Sequence, residues 1–259
     1  MTRCLVTGAG RRIGRAIALY LGARGHDVAV HYATSELEAE EVAQKVRLME
    51  RKSIALQADL LDDDQTEALF ERATEALGGP IDCLVNNASI FEYDNIRTAT
   101  RENWDRHIQS NLRAPFILTQ AMARQGLETD TDPSGEPIAS GLIVNVIDQR
   151  VLKPTPEYMT YSLAKMALWD LTRTSARALA PAIRVNAIGP GPTLRGEGQS
   201  ETQWERQRAA TVLGRGSNPE DVTAALGYFL DAPGVTGQLI CTDGGQHLAW
   251  QTPDVMGRN

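Results

Sequence analysis

Tyr161 and Lys165 lie four positions apart and could together move a proton. Residues at this spacing share one face of a helix, and a neighbouring ammonium favours the phenolate form of a tyrosine, which lowers its pKa from about 10 toward working pH. Asp148 precedes Tyr161 by 13 positions. A carboxylate there would resist phenolate formation and could hold its own proton, so we interpret Asp148 and Tyr161 as a coupled proton store. A Tyr-x-x-x-Lys pair alone is more typical of a protein surface.

A glycine-rich turn near the N-terminus favours the catalytic interpretation of that pair. Glycines between a strand and a helix let backbone N–H groups and the positive helix N-terminus approach a pyrophosphate, although such turns also use glycine for steric reasons alone. Two adjacent cations would oppose the helix dipole unless an anion lies there, and solvated loop charges are the alternative. The candidate cofactor contacts in this turn are Gly8, Arg11, Arg12, Ile13 and Gly14.

The end of the second apolar run distinguishes NAD from NADP. Enzymes that use NAD place a carboxylate there to hold the ribose hydroxyls. Here His31 and Tyr32 follow the apolar run, and no acid occurs before Glu36. A 2′-phosphate would meet Arg11, Ser35 and His31, so the sequence predicts NADP(H).

The residues between these motifs predict an α/β architecture. Short β-branched runs alternate with helical stretches such as 14–24, which Gly25 would end. This alternation predicts one doubly wound domain over residues 1–259, with a seven-stranded parallel sheet and helices on both faces. The polar stretches 126–140 and 190–203 are expected to be loops, and residues 190–211 a substrate loop. The predicted strands centre on residues 4–6, 28–30, 54–56, 83–85, 142–146, 183–185 and 239–241.

Composition narrows the classes of partner and location. The 259 residues carry 26 Lys+Arg and 33 Asp+Glu, a net charge of -7, which argues against nucleic-acid and anionic-membrane partners. Cys4, Cys83 and Cys241 are expected to be free thiols in a reducing compartment. The first apolar run is too short for a signal peptide or a membrane span, so we expect a cytoplasmic protein. The four histidines lie far apart, so we predict no catalytic metal.

Taken jointly, the motifs resemble the short-chain dehydrogenase/reductase family over nearly the whole chain. The resemblance implies a Rossmann fold, a nicotinamide cofactor along the carboxyl ends of the strands, and a homotetramer built on helices around 103–120 and 161–179. Asn111 would anchor a proton-relay water, and Lys165 would hold the nicotinamide ribose and tune Tyr161. Asp59 and Leu60 would lie near the adenine, Asn87 and Ala88 near the ribose, and Pro190 and Gly191 along the nicotinamide face. The motifs are Thr7-Gly8 with Gly14, Asp59-Leu60, Asn86-Asn87-Ala88, Asn111, Tyr161 with Lys165, Pro190-Gly191 and Asp243-Gly244-Gly245.

Two departures from the general family pattern point to one branch. Arg12 replaces a glycine of the turn, and Asp148 replaces the serine that usually lies 13 residues before the tyrosine. With the His31-to-Ser35 segment, Ser89 and Phe91, the chain resembles pteridine reductases and dihydromonapterin reductases. That resemblance implies a pterin stacked between Phe91 and the nicotinamide, with Arg12 and Ser89 at its polar edge and at the phosphates. Phe91 as a plain apolar cap of the fourth strand is the alternative.

The chemistry of these departures suits an imine. A serine hydroxyl steadies the alkoxide that forms from a ketone, whereas a carboxylate repels it. Reduction of a C=N bond instead leaves a nitrogen that needs a proton, which Asp148 and Tyr161 could supply. The leading prediction is an NADPH-dependent reductase of dihydropterins. A ketone or 3-oxoacyl thioester reductase, or an NADP(H)-binding protein without turnover, remains the alternative. Trp204 and Trp250 are candidate pocket residues, with aromatic packing as the other interpretation.

Overall fold

The computed structural model, which describes residues 2–196 and 198–251, contains one seven-stranded parallel sheet. The strand order β3-β2-β1-β4-β5-β6-β7 reverses direction next to β1, as in doubly wound folds, so the predicted fold class is confirmed. In chain order the strands are β1 (Arg3–Val6), β2 (Asp27–Tyr32), β3 (Ser53–Gln57), β4 (Cys83–Asn86), β5 (Gly141–Val146), β6 (Ile183–Pro190) and β7 (Leu239–Thr242).

Helices cover both faces of this sheet. The reason is visible in β1, where Cys4 and Val6 face one apolar cluster and Leu5 faces the other. Helices α1, α2 and α8 bury their apolar side chains in the first cluster, and α3, α5 and α6 bury theirs in the second. The helices are α1 (Arg12–Ala23), α2 (Glu36–Leu48), α3 (Asp63–Leu77), α4 (Arg101–Ile108), α5 (Ala114–Arg124), α6 (Met159–Leu179), α7 (Glu201–Ala209) and α8 (Pro219–Asp231).

Three short helical turns complete the elements that position the site. A π-helical segment, Gln109–Arg113, joins α4 to α5. The 3-10 turns Gln149–Val151 and Gln246–Leu248 follow β5 and β7. These turns lie at the carboxyl edge of the sheet, where ligands bind in open α/β folds.

Two of the predicted loops contain regular structure. Within 126–140, Asp130–Thr131 pairs antiparallel with Pro137–Ile138, because Asp132 accepts backbone bonds across a turn that Gly135 closes with φ +89. Within 190–203, Pro190 ends β6 and α7 begins at Glu201, where Ser200 and Gln203 form a capping box. The two stretches are therefore mainly loops, as predicted, and the expectation was wrong only for the short hairpin within 126–140 and for the residues at the ends of 190–203.

The first helix begins earlier than the sequence predicted. It starts at Arg12 rather than at Gly14, and it ends at Ala23 rather than at Arg24. Gly25 follows with φ +86, which confirms the glycine stop.

The cysteines, all of which the structure describes, form no disulfide bond. Cys4 and Cys83 lie side by side on β1 and β4 and are buried, whereas Cys241 is half-buried, and all three are free. In the described part of the chain, no helix has the length and apolar character to cross a bilayer. Residues 2–196 and 198–251 also contain no cluster of His, Cys, Asp or Glu that could hold a metal ion.

Candidate active site

A single cleft of about 1460 Å³ runs along the carboxyl edge of the sheet and collects nearly all the predicted site residues. Of the predicted catalytic, cofactor-binding and substrate-binding residues, Asn111 alone does not line it. Trp204, from α7, lines the cleft, whereas Trp250 is 70% exposed and does not. Residues that sequence reasoning drew from motifs up to 183 positions apart thus share one surface. They are Gly8, Arg11, Arg12, Ile13, Gly14, His31, Tyr32, Ser35, Asp59, Leu60, Asn87, Ala88, Ser89, Phe91, Asp148, Tyr161, Lys165, Pro190 and Gly191.

The acid–base group lies where β5 meets the first turns of α6. Asp148 caps the 3-10 turn after β5, and its Oδ1 accepts the backbone N–H of Arg150 at 2.8 Å. The hydroxyl of Tyr161 donates to Asp148 Oδ2 at 3.0 Å. One helical turn later, Lys165 is fully buried and its Nζ donates to the carbonyl of Val146 at 2.9 Å. The turn and the helix therefore hold all three groups in fixed positions.

Burial dominates the titration of these groups. It raises the pKa of the Asp148 carboxyl above its usual value and lowers the pKa of Lys165 to about 8. The pKa of Tyr161 lies well above its usual value because the phenol is buried and faces the Asp148 carboxyl. The expectation that Lys165 lowers the pKa of Tyr161 was therefore wrong. The neutral phenol and the raised carboxyl pKa agree with the other expectation, a shared proton store.

The glycines of the turn pack so closely against neighbouring residues that a side chain at Gly8 or Gly14 would collide with them. Gly8 has φ +60, and a Cβ there would lie 2.9 Å from the Cα of Ala88. A Cβ on Gly14 would lie 2.2 Å from the Gly8 carbonyl oxygen and 2.5 Å from Asn87 Nδ2. The first turn of α1 contains no acidic residue, and Arg11 gives it no side-chain cap. Open backbone N–H groups at a helix N-terminus suit a pyrophosphate, so the turn fits a dinucleotide.

His31 holds the glycine-rich turn in place through a hydrogen bond. It is only 1% exposed, its Nδ1 accepts the backbone N–H of Gly8 at 3.0 Å, and its Nε2 lies 3.0 Å from the Ala58 carbonyl. Burial lowers the pKa of His31 to about 4, so the ring is neutral near pH 7. Both ring nitrogens are engaged within the chain. The expected contact of His31 with a 2′-phosphate is therefore wrong, and the residue instead fixes the turn.

Arg11 has a partner that the sequence did not reveal. Its Nε donates to Glu38 Oε1 at 3.0 Å, and the two side chains form an ion pair at the surface. The carboxylate of Glu38, on α2, therefore partly compensates the positive charge that was expected to be unpaired at the N-terminus of α1. Exposed pairs of this kind contribute little stability, so Arg11 can exchange partners. Ser35 begins α2 without a capping bond from its hydroxyl, and it faces the same cleft.

Aromatic side chains form the opposite end of the cleft. Phe91 is 51% exposed and stacks on Tyr158, with ring centroids 4.3 Å apart and planes inclined by 6°. It meets Tyr161 edge-on at 4.7 Å, and Tyr93 meets Tyr158 edge-on at 5.2 Å. Sequence reasoning found Phe91 and missed Tyr158 and Tyr93. Tyr158 lies outside α6 with a left-handed backbone, φ +54, so no helical spacing to Tyr161 marks it in the sequence.

A buried polar network lies behind these rings. Thr160 donates its backbone N–H to Asp94 Oδ1 at 3.1 Å and its hydroxyl to Asp94 Oδ2. His107 Nδ1 lies 2.7 Å from the Thr160 hydroxyl oxygen, and His107 Nε2 accepts the backbone N–H of Glu92 at 3.1 Å. The network joins the segment after β4 to the first turn of α6. It therefore fixes Phe91 relative to Tyr161.

Asn111 acts on the same segment from the π-helical turn. Its Oδ1 accepts the backbone N–H of Ile90, and its Nδ2 donates to the Ile90 carbonyl, each at 2.9 Å. Both groups of the amide therefore hold the backbone between Ser89 and Phe91. A relay-water role for Asn111 stays a prediction.

Arg12 joins the glycine-rich turn to the segment that follows β6. Its backbone has φ +54, and its guanidinium donates to the carbonyls of Leu194 at 3.0 Å and Arg195 at 2.9 Å. The turn that would hold phosphates is thus tied to the predicted substrate loop. The expected contacts of Arg12 and Ser89 with a pterin stay predictions.

Comparisons with known proteins identify the family of this chain. Residues 8–247 match a family model described as enoyl-(acyl carrier protein) reductase. The chain is 31% identical to the 3-oxoacyl-[acyl-carrier-protein] reductase FabG of Staphylococcus aureus (strain Mu50 / ATCC 700699), over 94% of this chain and 97% of that protein. It is 30% identical to a short-chain type dehydrogenase/reductase of Picea abies, over 93% and 91%. The chain belongs to the short-chain dehydrogenase/reductase family. The resemblance at the family level is thereby confirmed.

Two solved structures of the short-chain dehydrogenase/reductase family share nearly the whole fold. The FolM alternative dihydrofolate reductase 1 from Brucella suis, solved in complex with NADP, is 43% identical with a TM-score of 0.89, over 98% of each chain. A short chain dehydrogenase from Burkholderia cenocepacia J2315, also solved with NADP, is 31% identical with a TM-score of 0.85, over 95% of this chain and 97% of that one.

Proposed function

We propose that this short-chain dehydrogenase/reductase is an NADPH-dependent reductase that converts dihydropterins to tetrahydropterins. The observation that carries the proposal is the 3.0 Å bond between Tyr161 and Asp148, which places a half-buried carboxyl where a ketone reductase would need a neutral donor. The exposed ring of Phe91 beside this pair gives a flat heterocycle a stacking surface. The similarity to a FolM alternative dihydrofolate reductase supports the same class of substrate.

NADP(H) is the cofactor that the cleft fits. Bound NADPH supplies the hydride. The Gly8-to-Gly14 turn would hold the pyrophosphate, and Arg11 with Ser35 would bond the 2′-phosphate, since β2 ends without an acid. Lys165 would hold the nicotinamide ribose. Asp59 and Leu60 would lie near the adenine, Asn87 and Ala88 near the second ribose, and Pro190 and Gly191 beside the nicotinamide.

The protein's own residues would move the proton. Tyr161, a neutral phenol, donates its O–H toward the substrate nitrogen that reduction leaves basic. Asp148 restores that proton because its raised pKa lets the half-buried carboxyl carry one closer to neutral pH than an exposed aspartate does. Lys165 keeps a positive charge below its pKa of about 8, which stabilises negative charge on the phenol oxygen during transfer.

A 3-oxoacyl thioester reductase is the second candidate. The 31% identity to a 3-oxoacyl-[acyl-carrier-protein] reductase favours it. The carboxylate of Asp148 disfavours it, because an alkoxide forming beside Tyr161 would be repelled. An NADP(H)-binding protein without turnover would have no need for the bonded Asp148 and Tyr161 pair.

A substrate panel read by NADPH absorbance tests the proposal. Dihydrobiopterin, dihydromonapterin and dihydrofolate should be reduced, and an acetoacetyl thioester should react poorly. Tyr161→Phe and Asp148→Asn should each lower the rate with dihydropterins about 100-fold or more, the usual contribution of a general acid, while NADPH still binds. Asp148→Ser restores the hydroxyl of ketone reductases and should raise thioester reduction.

Three outcomes would decide against the proposal. Efficient reduction of the thioester with no reaction of any dihydropterin would establish the second candidate. Tight NADPH binding with no turnover on any substrate would favour the non-catalytic alternative. A rate above about a tenth of the unmutated value in Tyr161→Phe would remove Tyr161 as proton donor.

We also propose that the protein forms a homotetramer through α4, α5 and α6. Three large apolar side chains are exposed on these helices, Trp104, Phe116 and Leu163. Exposed apolar faces of this kind are typical of subunit interfaces. The molar mass in solution, measured by light scattering for the unmutated protein and for Phe116→Lys with Leu163→Lys, tests this assembly.

A further inference from the structure

Arg150 lies at the aromatic end of the cleft in an unusual environment. Its guanidinium carbon is 5.5 Å from the ring centre of Phe91 and 4.9 Å from that of Tyr158. These two rings stack on each other, and Phe91 also touches Tyr161. The cation therefore borders the same group of rings as the proton donor. It also lines the same cleft.

The guanidinium has no polar partner within residues 2–196 and 198–251. Its Nε is buried without a hydrogen bond, and no described carboxylate lies within ion-pair distance of it. The other cations of the cleft are engaged, Arg11 by Glu38, Arg106 by Glu92, Arg12 and Lys165 by backbone carbonyls. A half-buried guanidinium without such a partner leaves a desolvated charge that an anion could satisfy.

The rings explain only part of this environment. A cation over aromatic faces is attracted to them, yet this attraction uses no N–H donor, so the terminal Nη groups of an arginine stay free to bond oxygen. A guanidinium presents these donors as a planar fork that matches a carboxylate. The position thus combines an aromatic surface with an open fork, which suits a ligand that has a flat ring followed by an acidic group.

We propose that Arg150 binds a carboxylate on the side chain of the substrate. The proposal rests on the proposed function and narrows it, because it predicts preference for a pterin with an acidic tail, such as an acyl-glutamate, over a pterin with a neutral hydroxylated side chain. The ring of the substrate stacks on Phe91, and the tail leaves the cleft past Tyr158 to the guanidinium.

Arg150 could instead act only as a counter-charge for Asp148, which precedes it by two positions and accepts its backbone N–H. In that case its loss would change the proton store and would slow all substrates alike. A comparison of two dihydropterins separates these roles, since any effect on Asp148 and Tyr161 cancels in the ratio of their kcat/KM values.

The experiment measures kcat/KM for dihydrofolate and for dihydrobiopterin in the unmutated protein, Arg150→Gln and Arg150→Lys. The first substrate has carboxylates on its tail and the second has none. The ratio of the two values should fall roughly 10- to 100-fold in Arg150→Gln, the usual effect of losing one charged bond, mainly through KM for dihydrofolate. Arg150→Lys should restore part of the ratio because it keeps the charge and loses the fork.

A binding measurement without turnover supplies the second readout. Calorimetry with the NADP⁺-loaded protein should give an affinity for dihydrofolate that falls with added salt and falls again in Arg150→Gln, whereas dihydrobiopterin should show little salt dependence. Arg106→Gln is the matched control, because Arg106 lines the same cleft and is already paired with Glu92. It should leave the ratio of the two substrates unchanged.

The outcomes separate this inference from the proposed function. If both dihydropterins react and the ratio is the same in Arg150→Gln as in the unmutated protein, Arg150 is not a carboxylate site and the reductase proposal stands. If neither of these dihydropterins nor dihydromonapterin reacts with or binds to the unmutated protein, the proposed function fails and this inference fails with it.

Discussion

Lys165 should give the unfolding free energy of this protein a distinct dependence on pH. The ammonium is fully buried, and burial lowers its pKa from the ordinary lysine value of 10.5 to about 8. Between these two values the native state has released the proton while the unfolded chain still holds it. The unfolded state then binds more protons, so the stability of the native state rises with pH across this window and is constant below it.

The size of the effect follows from the same two values. A pKa difference of about 2.5 corresponds to roughly 3 kcal/mol, of which about 2 kcal/mol is gained between about pH 7 and about pH 9.5. Lys165→Met lacks this gain. Near pH 7 the variant escapes the cost of the buried charge and loses the bond to the Val146 carbonyl, a loss of about 1 to 3 kcal/mol. It should therefore be about as stable as the unmutated protein or slightly more stable.

Denaturant titrations of the cofactor-free protein, followed by tryptophan fluorescence at several pH values, measure this difference. The unmutated protein should overtake Lys165→Met as the pH rises. Lys45→Met, on the exposed face of α2, controls for the loss of one positive charge. A difference between the unmutated protein and Lys165→Met that stays flat up to about pH 9.5 would refute a buried ammonium at this site. The same variant should lose turnover and bind NADPH more weakly.

Two further perturbations test the cofactor end and the network behind the rings. Glu38→Gln removes the carboxylate that competes for Arg11. The affinity for NADPH, measured by NADPH fluorescence, should therefore rise a few-fold, while the affinity for NADH hardly changes. Arg11→Ala should instead weaken NADPH binding about tenfold or more. Equal affinities for both cofactors in the unmutated protein would contradict this assignment. Thr160→Val leaves Asp94 and His107 buried without the hydroxyl that both contact. The unfolding free energy should therefore fall by about 2 to 4 kcal/mol, and kcat should fall because Tyr161 shifts. Thr160→Ser should restore both quantities. Unchanged stability in Thr160→Val would show that the network is not needed.

The strands were predictable because their sequence signal is local. Every predicted apolar run lies within a strand of the sheet, as 83–85 lies within Cys83–Asn86. The boundaries were less certain. Strand β6 continues to Pro190, five residues past the predicted run, because Asn186 and Gly189 interrupt the apolar pattern without ending the pairing with β7. The Asp130–Thr131 hairpin depends on turn bonds made by Asp132, which a polar composition conceals.

The site was predictable only where a motif carries it. Asp148, Tyr161 and Lys165 came from spacing and family resemblance, and the structure brings them together. The network behind the rings instead joins residues far apart in sequence, as Thr160 and Asp94 are separated by 66 positions. No local pattern marks such a contact. The sequence allowed either direction for the pKa of Tyr161, and the burial of the phenol beside Asp148 decides that it is raised.

The aspartate at position 148 links the stability of the site to its choice of substrate. A half-buried carboxyl with a raised pKa destabilises the native state once it ionises, and a serine there would avoid this cost. On the proposed function the cost has a use. When an imine nitrogen is protonated as the hydride arrives, that nitrogen has positive character in the transition state and a nearby carboxylate favours it, whereas a ketone oxygen gains negative character and is repelled. Burial of the Asp148 carboxyl therefore weakens the fold once that group ionises, the bond of 3.0 Å from Tyr161 offsets part of this cost, and on the proposed function the same carboxyl selects the class of bond that is reduced.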